Sequence, residues 1–285
     1  MANVYVKPTS GGTPDGLTWG TAWLTLQAGL DNATIGDNIF CQGSETLTVT
    51  IDVDALTPTV TAPIWVYGVN TSESVDPKDD IDGTLYTVDA NSAANECILG
   101  GSAKNYYRFV NMEFINPINY CFNSTSNDNW IFWGCRFNSS GITGVIGVNT
   151  DLGINFVQCQ INSNSGIGMN VSPATSGLVL LCEVISNGSI GIFHTNGNGV
   201  ICMNVVHNNS SDGIHGDQRL HVLFNVLDGN ASDGLEVHHY GTAYFNRITN
   251  NTAYGIFFDT NPGGNGFNAF YNNGTAEVND ATEYA

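Results

Sequence analysis

Positive charge is scarce: lysine and arginine together number 7 against 26 aspartates and glutamates, a formal net charge of -19 over 285 residues. Such a field repels phosphate backbones and anionic headgroups, so neither nucleic acid nor a membrane surface is expected as a partner. It also disfavours polyanionic substrates unless a basic patch or a bound cation reverses it, and no basic patch is visible. No apolar run is long enough to span a bilayer. The N-terminal MANVYVKPTSGG lacks a basic stretch leading into an apolar one and lacks a small-residue cleavage site, so no secretory signal is read. A virion or extracellular location is expected, reached either as a mature form that has lost its leader or by another route, such as lysis with a virus particle. Cysteine pairing is missing too. The cysteines number 7, an odd count, and none stands in CxxC spacing, so buried reduced thiols are expected rather than disulfides or a thiolate metal site.

What the chain does have is a repeat. Met112, Cys135, Cys159, Cys182, Asn204, Asn225, Asn246 and Asn268 occupy one register position, with successive spacings of 23, 24, 23, 22, 21, 21 and 22 residues. A period of this size marks a solenoid. The residues two before and two after are mostly apolar, as in Trp133 and Phe137 or Leu223 and Leu227. Period-two alternation then makes each segment a strand with that face inward. Nine residues further on stands a glycine column: Gly144, Gly168, Gly191, Gly213, Gly234 and Gly255. A tight corner with positive φ would explain it. Val145, Met169, Ile192, Ile214, Leu235 and Ile256 follow as inward residues of a second strand.

A unit of about 22 residues cannot bury its apolar face alone, whereas stacked units share one core. Leucine-rich repeats are excluded by the missing LxxLxL pattern, and a propeller needs units about twice as long. The fold class is therefore all-β, a single-stranded right-handed parallel β-helix. One structural domain is expected: an entry strand and capping helix over 1–45, irregular first coils over 46–105, regular coils over 106–273 and a closing segment over 274–285. The capping helix is placed at Thr21 to Asn32, with Trp23, Leu26 and Leu30 on one face.

The entry segment VYVKPTSGGTPDGLTWGTAWLTLQAGLDNATIGDNIFCQG resembles that of the pectin-lyase-like right-handed β-helix superfamily. Tyr5, Asp15, Trp19, Ala28, Leu30, Gly36, Asp37 and Ile39 carry the likeness. The resemblance implies the fold and is nearly silent on activity, because the superfamily includes lyases, hydrolases, epimerases, viral spikes and inert scaffolds. Its lyases generally depend on an outward arginine or lysine, and here Arg219 alone lies near the candidate patch. Of its polygalacturonase-like motifs, only an isolated Asn149-Thr150-Asp151 is present.

Two and four residues after the corner glycine, side chains should point outward. Those columns read Asn170, Phe193, His215, Glu236, Phe257 and Ser172, Thr195, Asp217, His238, Asp259. Carboxylates and imidazoles thus meet on adjacent coils, with His238 between Asp217 and Asp259. Asp217, Glu236, Asp259, His215 and His238 are the candidate catalytic set if the chain is an enzyme, since such groups serve as acid and base or hold a divalent cation. An exposed ladder of alternating charge would place the same residues there without any activity. Phe193, Phe257 and Tyr240, with Arg219, are the candidate ligand-binding residues, because aromatic faces suit sugar stacking. His194 should point inward as a satisfied core histidine. No cofactor is expected, with calcium as the one ion considered.

The function expected first is a non-enzymatic surface or structural protein, such as a phage capsid decoration or spike component that binds glycans. Its partners would be other virion or surface proteins, a polysaccharide, and further copies in a homotrimer burying outward Phe132, Phe156, Phe224 and Phe245. The alternative is a carbohydrate-active enzyme, a glycoside hydrolase, lyase or epimerase, acting on a neutral or weakly charged polysaccharide.

Overall fold

The computed structural model describes residues 2–53, 56–74, 76–100, 106–124, 129–150, 153–173, 176–195, 197–259 and 263–280. Asp151, and with it the Asn149-Thr150-Asp151 tripeptide, lies outside them. The chain is a parallel β-helix. Among the described residues its strands form three parallel sheets of 11, 10 and 10 strands, and each coil visits them in turn. One coil runs through Leu220–Leu223 in the first sheet, Val226–Asp228 in the second and Leu235–Val237 in the third. The next coil begins at Thr242–Tyr244.

The inward residues after the glycine column, Val145 through Ile256, are all fully buried. So are six of the cysteines; Cys202 is half-buried, and all seven are reduced. Between the cysteine and asparagine ladder and the preceding strand, the alternation expected from sequence breaks. Gln158, Leu181, Met203, Phe224, Phe245 and Phe267 take left-handed backbone with φ of 54 to 58°. This corner holds two successive side chains outward. Trp133, Val157, Leu180, Leu223 and Tyr244 therefore face outward rather than in, and the residues before them turn into the core. Phe132 and Phe156, expected on the surface, are fully buried. Phe132 stacks on Phe109 at a centroid spacing of 5.3 Å and Phe156 on Phe132 at 5.2 Å, an internal aromatic column. Phe224 and Phe245 do stand outside, each about half exposed.

The glycine column also has a different cause from the one expected. None of its members has positive φ. A Cβ on Gly213 would instead lie 2.6 Å from the carbonyl oxygen of Gly234 and 2.8 Å from Asn230 Nδ2. Coils approach here too closely for any side chain.

The helix α1 spans Leu26–Asn32, shorter than expected from sequence. Thr25 caps it by accepting from the Ala28 N–H, so the chain before it is extended, and Trp23 bridges to Val6. Leu26 and Leu30 are buried with the first strands. No described helix is long and apolar enough to cross a membrane.

Candidate functional site

The third sheet aligns Phe193, His215, Glu236 and Phe257 as laddered partners on its outer face. Register continues past the strand ends. The Asp217 N–H donates to the His194 carbonyl, that of His238 to Gly216, and that of Asp259 to Val237. Coil spacing then brings side chains from three rungs into contact, as the sequence register anticipates.

His215 Nδ1 lies 2.9 Å from Glu236 Oε2 and 3.4 Å from Asp212 Oδ2, while its Nε2 lies 3.3 Å from Asp217 Oδ1. His238 Nδ1 lies 2.9 Å from Asp259 Oδ2 and its Nε2 2.9 Å from Glu236 Oε1. Glu236 thus bridges the two rings, whose centroids are 5.1 Å apart. His238 stands between Asp217 and Asp259 in its column, as expected, and its ring nitrogens contact Asp259 and Glu236.

Burial alone would push His215 down, but hydrogen bonds and charge from Asp212 and Glu236 outweigh it and hold the ring as imidazolium, pushed up to about 10. Burial would raise Asp212, yet its hydrogen bonds, His215 among their donors, keep its carboxyl below the usual range. Asp233 is pushed up to about 6 by burial, partly opposed by the Tyr254 N–H and reinforced by the charges of Asp212 and Glu236.

The five candidate catalytic residues are therefore brought together. The aromatic candidates are not. Phe193 packs edge-on against His215 at 5.1 Å, and Phe257 pairs with Tyr254 at 5.5 Å, so the two bracket the cluster rather than form one platform. Tyr240 and Arg219 lie to one side, on the loops returning to the first sheet. A depression of about 300 Å³ beside the cluster is lined by Thr195, Asp217, Gln218, His238 and His239. A second, of about 200 Å³, shares Gln218 and His239 and adds Arg219 and Tyr240.

The candidate set read from the sequence leaves out Asp212 and Asp233, each of which precedes a corner glycine. They do serve the corner, since Asp212 Oδ1 accepts from the Asp233 N–H and Asp233 Oδ1 from the Tyr254 N–H. For Asp212, the spacing of three to His215 is the signal that would have brought it into the cluster. His194 is buried as expected, but neither ring nitrogen has a hydrogen-bond partner among the described residues. Burial pushes it down to about 4, so it stays neutral. The missing side chain of Gly199 leaves room for its ring.

A group of one ring nitrogen from each of His215 and His238 with an Asp217 oxygen fits within 4.8 Å, as does Asp212, His215 and Glu236. These are the residues that could hold a metal ion.

No protein-family model and no curated protein matches the chain. Solved structures do. Pectate lyase Pel9A superposes with a TM-score of 0.66 at 16% identity, over 99% of this chain and 79% of that one. The A-module of Azotobacter vinelandii mannuronan C-5 epimerase AlgE4 gives 0.57 at 14% identity, over 88% and 81%. ORF18 of Geobacillus virus E2 gives 0.54 at 11% identity, over 97% of this chain and 59% of that one. The chain shares the parallel β-helix fold of these structures. Neighbours of that fold include carbohydrate-active enzymes and a phage protein.

Proposed function

We propose that this chain is a β-helical surface protein of a virion or the extracellular space that binds a polysaccharide across the loops following the third sheet. The observation that carries this is the pair of adjoining depressions beside the cluster, where Arg219 and Tyr240 offer a cation and an exposed aromatic ring to a sugar chain. Pectate lyase and mannuronan epimerase share the fold, and their names refer to polysaccharide substrates, which supports a glycan as the ligand class. Glycan-array binding tests the proposal. Binding weakened about 10-fold or more by Tyr240→Ala supports it, and no retained glycan on the array sinks it.

A second reading, a carbohydrate-active enzyme, is favoured by the carboxylates and imidazoles that adjoin the same depression. Asp217, Glu236 and Asp259 would act with His215 or His238 as acid and base. Release of new reducing ends or unsaturated ends from bound glycans, abolished by Asp217→Asn or Glu236→Gln, would establish it; binding without turnover would leave the surface-protein reading.

Lateral partners, other copies or other surface proteins, are favoured by a ladder of exposed rings. Phe224, Phe245 and Phe267 stack at 5.0 and 5.1 Å with interplanar angles of 6°. Their faces cover one another and their edges project, which suits apolar packing against protein better than sugar stacking.

A further inference from the structure

We propose that His215, Asp217 and His238 form a binding site for one divalent transition-metal ion of the zinc class, with Glu236 as a further donor and Asp212 and Asp259 as supporting carboxylates. Each imidazole has carboxylate oxygens against both of its ring nitrogens: Glu236, Asp212 and Asp217 around His215, and Asp259 and Glu236 around His238. One ring nitrogen from each histidine and an Asp217 oxygen lie within 4.8 Å of one another, close enough to converge on a single ion.

The arrangement has the features that separate a metal centre from a charged patch. Both Nδ1 atoms are held by carboxylates, His238 by Asp259 and His215 by Glu236 and Asp212, which is how ligating histidines are oriented from behind. The Nε2 atoms then face the side where Asp217 and Glu236 present oxygens. The donor atoms of His215, Asp217 and His238 lie within 4.8 Å of one another, and zinc holds such ligands at roughly 2.0–2.2 Å. Two nitrogens beside carboxylate oxygens select a borderline ion such as zinc over calcium or magnesium, which take oxygen ligands. The depression lined by Asp217 and His238 leaves one side of the ion open to solvent. A bound cation would also reverse the local field in a strongly acidic chain, admitting an anionic group that the protein otherwise repels.

The inference goes beyond glycan binding and does not depend on it. Isothermal titration of the full chain with zinc chloride, in buffers of different ionisation enthalpy, tests it. One ion per chain is expected, with proton release because ligating imidazoles must be neutral. His238→Gln and Asp217→Asn should weaken binding at least about 10-fold, and Asp259→Asn about 10- to 100-fold as a supporting residue. Asp79→Asn, on a distant surface turn, and Cys202→Ser should leave it unchanged. Cobalt bound to the unsubstituted chain should give ligand-field bands without thiolate charge transfer, a readout that stands even where a variant fails to fold. Absence of stoichiometric binding, binding indifferent to both His238→Gln and Asp217→Asn, or calcium binding as tightly as zinc would overturn the proposal. Glycan retention by the chelator-treated chain is measured separately, so loss of one property is not mistaken for loss of the other.

Discussion

At the level of single residues, the buried ionisable groups show how little charge this core tolerates. Glu45 is 6% exposed, and one of its oxygens accepts the Leu26 N–H at the start of α1. Burial pushes its carboxyl up to about 7, against the lowering effect of that hydrogen bond. In the unfolded chain the carboxyl ionises near 4.5, so between that pH and about 7 the native state holds a proton that the unfolded state has released. Stability attributable to Glu45 is therefore full at low pH and falls as pH rises through this window. Glu45→Gln should remove the dependence and raise stability at pH 8 by up to a few kcal/mol, read as urea midpoints of both proteins at pH 5 and pH 8.

The elements are held in register by two buried asparagine ladders, one in each of two corners. Asn204, Asn225, Asn246 and Asn268 form the first, each Nδ2 donating to the next Oδ1 at 3.0 Å. Asn164, Asn187, Asn209, Asn230, Asn251 and Asn273 form the second at 2.9 to 3.0 Å. Asn225→Ala strips an acceptor from the N–H and side-chain amide of Asn204 and a donor from the Ile201 carbonyl. Each buried group left unpaired should cost about 1–3 kcal/mol, a loss visible in denaturant unfolding, whereas Asn272→Ala, on an exposed pair, should change little. The first ladder is legible from residue spacing alone. The second is written just as regularly in the chain, yet Asn187-Gly188, Asn208-Asn209 and Asn250-Asn251 read locally as turn dipeptides, and a turn signal does not say which of the two side chains points in.

For the molecule as a whole, one outward corner is apolar over several coils. Leu181, Met203, Phe224, Phe245 and Phe267 are between about half and four-fifths exposed, all on left-handed backbone that bulky residues adopt at some strain. Three phenylalanines at that exposure present on the order of 400 Å² of ring surface, at the level where apolar patches mark interaction sites. Sedimentation velocity over a dilution series should show self-association that Phe224→Ser with Phe245→Ser abolishes. A chain monomeric at every concentration would remove the homotrimer from consideration and leave other surface proteins as the partners of this ridge.

The sequence by itself determined the coil length, the inward column after each corner glycine and the outward columns that carry His215, Asp217, Glu236, His238 and Asp259. These follow from strict periodicity: parallel stacking places equal register positions one above another, whatever the corners do. Only the tertiary structure decided how the corners turn. A left-handed residue there shifts the alternation by one, sending Phe132 and Phe156 inward and Trp133 outward, and no local pattern marks it because leucine, methionine, phenylalanine and glutamine all occupy the position. Tertiary packing also decided which acid meets which base. Glu236 bridges both histidines and Asp212 joins them because side chains reach diagonally between rungs, a distance that spacing along the chain does not encode.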